Sequence, residues 1–410
     1  MKNSLNMAVI GLGNRGKSLL EQVLVNQDDI NIVALCDVYG DRVEAAVKSV
    51  EERKGNTPFG TTDYKKVFEV ENLDAVLVAT AWETHMEVTL YAMEKGVAVA
   101  MEVGGAYNIE ELWELVKTWE RTKTPFMFME NCCFDKTELL ATAMTRKGIF
   151  GEIVHATGAY AHDLRYEVSY GNINRHYRLR NYIKRNCENY PTHDIGPIAK
   201  LLDINRGNRF VSLVSVASKS IGLKEYVRSH KEDLSDLLDV DFKQGDIVST
   251  IITCANGETV TLKLDTTLPR FYSRDFSVYG TKGFYEQNTN TVYLEEYGEE
   301  FWEAVESYKK FIDNGTQFEK EFLPVCWKNL TQEQKDSGHG GMDYFEFRSF
   351  IDSIKSGEEP PIDVYDAATW MAITVLSEQS IQQGGTSVPF PDFTNGMWIL
   401  RERKDVCDFN

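Results

Sequence analysis

At 410 residues the chain is longer than one hydrophobic core usually serves, so two domains are expected. Its 42% hydrophobic and 26% charged composition is that of a globular protein, and no apolar run approaches the ~20 residues that span a bilayer. A formal charge of −19 argues against a nucleic-acid partner, which needs a surplus of Lys and Arg, but leaves room for a small anionic cofactor held by backbone N–H groups.

Up to residue 130 short apolar runs alternate with amphipathic stretches. Strands are expected at Met7–Ile10, Ile32–Cys36, Ala75–Ala79, Val97–Met101 and Phe126–Met129, with helices near Gly16–Val25, Asp41–Glu52, Thr84–Lys95 and Ile109–Arg121. This β-α-β series builds a doubly wound, parallel Rossmann-type sheet over 1–130. After a helix at Lys136–Arg146 the texture changes to strands at Ile153–Tyr160, Phe210–Ala217, Ile247–Thr253, Thr259–Asp265, Phe276–Tyr279 and Val292–Glu295. Turn signals such as Ala255-Asn256-Gly257 and Gly280-Thr281-Lys282-Gly283 separate them, so 131–410 reads as an α+β domain on an open, mostly antiparallel sheet. Late helices at Met342–Lys355 and Val364–Gln382 are expected to pack on its core. Exposed strands of that sheet are compatible with a homo-oligomer.

The seven cysteines are odd in number, scattered and without a CxxC pair, which suits reduced thiols. The chain enters its first strand within about five residues, leaving no room for a leader, so a cytoplasmic protein is expected. The seven histidines show no metal-binding spacing, and no metal is expected. Acidic pairs such as Glu295-Glu296 and Glu299-Glu300 read as solvated faces. Cys132-Cys133 has no electropositive neighbours in sequence that would mark a nucleophile.

Gly11-Leu12-Gly13-Asn14-Arg15-Gly16 is GxGxxG placed directly after a strand and opening a helix. The first glycine permits the tight turn, the second lets the backbone approach a pyrophosphate, and the third lets helix pack on strand. Asp37 closes the second strand 24 residues after Gly13, where a carboxylate accepts ribose hydroxyls and repels a 2′-phosphate. NAD is therefore expected over NADP.

In Tyr190-Pro191-Thr192-His193 the apolar spacing of Ile195, Ile198, Leu201 and Leu202 predicts a helix. Pro197 is expected in its first turn, where a missing N–H is harmless. His193 then falls at the helix start, where the positive end of the dipole favours a neutral ring able to accept a proton. A hydrogen-bonded structural histidine is the alternative.

The apolar strand ending at Thr80, Trp82 to His85, and Met101-Glu102-Val103-Gly104 together resemble the Gfo/Idh/MocA oxidoreductase superfamily. One departure from its dehydrogenases is informative, besides Asn189 standing where an aspartate often precedes the histidine, here His193, by four. Where those carry Glu-Lys-Pro, with a proton-relaying lysine, this sequence has Glu102-Val103-Gly104. Asn14-Arg15, Glu130-Asn131, Gly158-Ala159-Tyr160 through Arg165, Arg178, Tyr190-Pro191-Thr192-His193, Tyr272 to Arg274 and Gly338-His339-Gly340-Gly341-Met342-Asp343 are similar to the superfamily's NAD-dependent glycosidase branch.

That resemblance implies a glycoside hydrolase of the α-N-acetylgalactosaminidase type. Its chemistry is transient oxidation at C3 of the sugar, elimination across C1–C2, water addition and re-reduction. It implies that Gly11, Gly13, Asn14, Arg15, Gly16, Asp37, Trp82, His85, Glu102, Val103, Asn131 and Tyr190 bind NAD. Tyr160, Arg178, Tyr190, Thr192, His193 and Tyr272 would hold the sugar, with His193 taking the C3 hydroxyl proton and Tyr160, or else Tyr190, the C2 base. Net sugar dehydrogenation and a non-catalytic sugar or dinucleotide sensor remain the alternatives.

Overall fold

The computed structural model describes residues 4–298 and 306–409, so the acidic pair Glu299-Glu300 lies outside the described residues. Contacts divide the chain into two units. One is the chain up to Phe134 together with Leu330–Ala368; the other is Asp135–Asn329 together with the chain from Thr369. The late segment expected with the second domain thus divides, and the helix Met342–Ser356 groups with the first unit.

The first unit carries a six-stranded parallel sheet of β1 (Leu5–Ile10), β2 (Ile30–Cys36), β3 (Phe59–Thr61), β4 (Ala75–Val78), β5 (Ala98–Glu102) and β6 (Phe126–Met129) in the order β3-β2-β1-β4-β5-β6. β4, β5 and β6 are buried at every position, as parallel strands covered on both faces must be, and they read as continuous apolar runs. β1 lies between β2 and β4, so the winding direction reverses there, and ligands of such sheets bind beyond the strand carboxyl ends at that point. Gly11, Asp37, Glu102 and Asn131 stand at the carboxyl ends of β1, β2, β5 and β6. The three-residue β3, with Phe59 exposed, offers no alternation by which sequence could find it.

An eight-stranded sheet organises the second unit: β7 (Ile153–Ala161), β8 (Phe210–Ala217), β9 (Ile247–Cys254), β10 (Thr259–Asp265), β11 (Ser277–Gly280), β12 (Gly283–Glu286), β13 (Thr291–Leu294) and β14 (Val388–Pro389), in the order β13-β12-β11-β7-β10-β9-β8-β14. β7 and β10 pair in parallel; the other described pairs are antiparallel. Burial alternates strictly along β10, so one face is covered and the other open. Among the described residues no helix is long and apolar enough to cross a membrane.

The helix Thr192–Leu201 lies against β7 at Gly158, where a Cβ would come within 2.9 Å of the Asp194 Cβ and 3.1 Å of the Ile198 Cδ1. Only a residue without a side chain admits the helix this closely. Pro197 is not in the first turn, as the sequence suggested, but in the second. The helix starts early because Pro191 caps it, its carbonyl accepting from the Ile195 N–H at 2.9 Å. Pro197 therefore cannot donate to the carbonyl of His193, four residues earlier. Burial of Ile195, Ile198 and Leu201 outweighs that lost bond.

Seating the helix on Gly158 predicts that Gly158→Val destabilises the protein by about 1–3 kcal/mol through overpacking, with Gly158→Ala affected less. Denaturant unfolding checks this; unchanged midpoints for both variants would mean that the contact is not tight.

Candidate functional site

In the first unit Gly11 has φ +98°, and a Cβ there would lie 2.3 Å from the Ala79 carbonyl oxygen. At Gly16 a Cβ would lie 1.9 Å from the Gly11 oxygen, so these two glycines are required for the loop to close on its own strand and helix. Gly13 differs: a Cβ would meet nothing nearer than an Arg42 nitrogen at 3.6 Å, so its missing side chain leaves open space. Gly13 caps the helix Asn14–Gln22, whose first-turn N–H groups have no acid among them to compete for an anion.

Asp37 is buried. Its Oδ2 accepts from the Leu12 N–H at 2.7 Å and its Oδ1 from the Tyr39 N–H at 2.9 Å, with Arg42 at 3.6 Å. A carboxylate oxygen accepts about two hydrogen bonds, so the oriented group keeps capacity for ribose hydroxyls. The open face of Gly13, the helix start and the oriented carboxylate fit a dinucleotide.

Arg15 does not face an anion alone. Its Nε donates to Glu102 Oε1 at 2.8 Å, and its two terminal nitrogens donate to Asp343 at 2.8 and 3.0 Å, with Glu346 4.0 Å away. Asn131 donates to Asp343 at 2.8 Å, and the His339 ring nitrogen is 2.9 Å from the same carboxylate. Burial works against the Asp343 charge, but Arg15 and His339 outweigh it and hold its pKa well below the usual carboxylate range. Burial, with Glu102 beside it, pushes Glu346 well up, so Glu346 is the member of the group that keeps its proton. His339 has φ +44° and follows Gly338 at +61°, a turn the glycine-rich run permits.

Trp82 opens the helix Trp82–Glu94, and His85 lies buried one turn on. The Thr80 hydroxyl is 2.8 Å from His85 Nδ1, and burial brings the ring down to about 4, so it is neutral. A Cβ on Gly104 would sit 2.7 Å from Trp82 Cδ1. A proline at 104, as in Glu-Lys-Pro, would collide with Trp82, and the adjoining Val103 is buried. Valine and glycine at these positions thus go with the tryptophan.

The second unit gathers the other candidates. Gly158 and Tyr160 lie on one side of β7, and the seated helix brings His193 to Tyr160 with ring centroids 5.5 Å apart. Tyr190 contacts both, at 4.5 Å from Tyr160 and 4.7 Å from His193. Arg178, in the helix Arg178–Lys184, lies 4.7 Å over the Tyr190 ring and is 2.8 Å from Glu167. Burial opposes its charge but is outweighed by Tyr177, Glu167, Tyr160 and Tyr190, so it is a permanent cation. The Thr192 hydroxyl is buried with no hydrogen-bond partner among the described residues.

His162 and Glu167 were not singled out from sequence. His162 Nδ1 is 3.4 Å from the Tyr160 hydroxyl; burial first, then Arg178, lowers its pKa and keeps it neutral. A His just past the end of β7, two residues after Tyr160, was the available signal. Tyr272 reaches the group through His162, with ring centroids 5.2 Å apart. All six proposed sugar residues lie in the second unit, and the proposed NAD residues other than Tyr190 lie in the first.

Two family models match: residues 5–129 the oxidoreductase family with an NAD-binding Rossmann fold, and residues 134–400 the C-terminal domain of glycosyl hydrolase 109. The chain is 38% identical to a glycosyl hydrolase family 109 protein of Stenotrophomonas maltophilia, over 99% of this chain and 92% of the relative. It is also 38% identical to an alpha-N-acetylgalactosaminidase of Tannerella forsythia, over 97% of this chain and 88% of that one. Among solved structures, the fold is shared with a myo-inositol 2-dehydrogenase from Lactobacillus plantarum (TM-score 0.66, 17% identity, 95% of this chain and all of that one).

Two outcomes follow from this geometry. Asp37→Ala is expected to weaken NAD binding about 10- to 100-fold, the range of a hydrogen bond to a charged group, and to narrow the gap between NAD and NADP in fluorescence titration; an unchanged gap would remove Asp37 from the ribose. Asp343 has a depressed folded pKa, so its contribution to stability is present above pH ~4 and lost as pH falls further. Thermal unfolding of Asp343→Asn should accordingly fall less steeply below pH ~4 than that of the parent.

Proposed function

The chain belongs to glycosyl hydrolase family 109 and is an NAD-dependent glycosidase, and on that premise we propose that it releases α-linked N-acetylgalactosamine without net redox change. The relative from Tannerella forsythia named for that activity supports the choice of sugar. The observation that carries the mechanism is the cluster of Tyr160, Tyr190 and His193, with ring centroids 4.5–5.5 Å apart, beside the buried Arg178 cation.

Gly11, Gly13, Asn14, Gly16 and Asp37 would hold NAD, with Trp82, His85, Glu102, Val103 and Asn131 flanking it. Bound there, NAD supplies an acceptor for the hydride of C3 and a donor for its return. His193 takes the proton of the C3 hydroxyl. The C3 ketone acidifies the C2 hydrogen, and Tyr160 removes it as the aglycone leaves C1. Water then adds across C1–C2. Tyr160 is favoured over Tyr190 because its hydroxyl lies 3.4 Å from the Nδ1 of His162, a neutral ring able to hydrogen-bond and orient the phenol. Tyr190 lies beneath Arg178 and against both rings, and so orients them. Arg178, Thr192 and Tyr272 hold sugar hydroxyls or the acetamido group; the unpartnered, buried Thr192 hydroxyl supports that role.

With His193 taking the C3 hydroxyl proton, the cycle can run without the lysine that Val103 replaces. The seven cysteines, five of them buried and none in a disulfide, fit a cytoplasmic location.

With α- and β-linked aryl N-acetylhexosaminides and hexosides, aglycone should appear without NADH, and in deuterated water the product should carry deuterium at C2. Steady NADH formation with no aglycone across the panel would replace this reading by net dehydrogenation. His193→Ala should lower kcat by about 10²-fold or more; wild-type turnover would exclude His193 as the proton acceptor.

A further inference from the structure

Tyr272 sits in a segment whose Arg274 takes no part in the chemistry above, yet Arg274 is among the most firmly held side chains of the second unit. It is buried. Its Nε donates to Glu138 Oε1 at 2.6 Å, and a terminal nitrogen is 3.0 Å from Asp135. Glu138 is fixed in turn: Gln287 donates to the same oxygen at 2.9 Å, and the Thr137 hydroxyl is 2.6 Å from the other. Asp135 caps the helix Lys136–Arg146 by accepting from the Thr137 N–H. Arg274 keeps Asp135 ionised, while burial raises Glu138 to about 7. The remaining arm of the guanidinium, Nη1, is 3.3 Å from the Tyr272 hydroxyl, and the guanidinium carbon is 5.9 Å from that ring.

A guanidinium only donates, so the phenol oxygen must accept from Arg274, and its own O–H has to point elsewhere. Tyr272 is 46% exposed and on its other side meets His162. We propose that Arg274, anchored by Glu138 and Asp135, is a positioning residue that fixes Tyr272 as an outward hydrogen-bond donor to an acceptor oxygen of the substrate, such as an acyl carbonyl. This rests on the reading of Tyr272 as a sugar-binding residue.

Arg274→Lys keeps the positive charge for Glu138 and Asp135 but loses the planar fork that reaches both them and the phenol. With tyrosine labelled at 13Cζ, and the Tyr272 signal identified by its loss in Tyr272→Phe, the substitution should move the Tyr272 titration upward by about one unit without any substrate present. With an aryl glycoside, KM should rise about tenfold with kcat within a few-fold, as for Tyr272→Phe, and the double variant should be no worse than Tyr272→Phe alone. An unmoved Tyr272 titration, or effects on KM that multiply in the double variant, would overturn the proposal. Arg274→Met is the more drastic partner variant; should it fail to fold, the lysine variant still decides. A protein that cleaves no glycoside would sink the hydrolase reading, while the titration would still test Arg274.

Discussion

The closeness of one helix to one strand sets the geometry of the second unit's site. Because position 158 has no side chain, the helix Thr192–Leu201 lies against β7 with Asp194 and Ile198 where a Cβ would otherwise be. His193, beside Asp194, is thereby brought to Tyr160, two residues beyond Gly158 on the same side of the strand. Tyr190 enters just ahead of the helix and completes the group, and Arg178 lies over it. Tyr160 and His193 are thus placed by a strand and a helix rather than by a loop, which holds their mutual geometry fixed.

The first unit answers a different requirement, that of holding an anionic cofactor with few cations. Its loop relies on backbone N–H groups and a helix start, and the arginine within that loop is spent on Glu102 and Asp343. A buried charge group of this kind adds little net stability, because desolvation offsets the attraction, but it fixes the residues that share it. It ties the glycine-rich loop to the segment that returns to this unit near residue 340. At the end of β5, Trp82 occupies the space over Gly104, so the glycine that stands where the dehydrogenases carry proline goes with the tryptophan.

Much of this was legible in sequence, for identifiable reasons. Parallel strands buried on both faces read as apolar runs, so β4 to β6 were found within a residue or two, and hairpin turns at Ala255–Gly257 and Thr281-Lys282 separated the later strands. β3, β12 and β14 were missed because two to four residues carry no period. The helices between Arg165 and Lys184 were not expected from sequence, since they have four to seven residues and take their order from packing. The start of the His193 helix was misjudged because Pro197 was taken to lie in the first turn, whereas tertiary burial holds a second-turn proline. Asp343 to Arg15, 328 residues apart, and Arg274 to Glu138, 136 apart, are pairings that no local pattern encodes. The family resemblance extended over nearly the whole chain because many short motifs recur in one order, and the family models and relatives bear it out.

The central claim is that the sugar is oxidised and restored within one turnover. An aryl α-N-acetylgalactosaminide carrying deuterium at C3 tests it most directly, incubated with the protein in ordinary water without added cofactor. The account predicts that the released sugar keeps deuterium at C3 while its C2 hydrogen exchanges with solvent. Release of aglycone with C2 unexchanged would contradict it, because cleavage would then proceed without the proposed elimination.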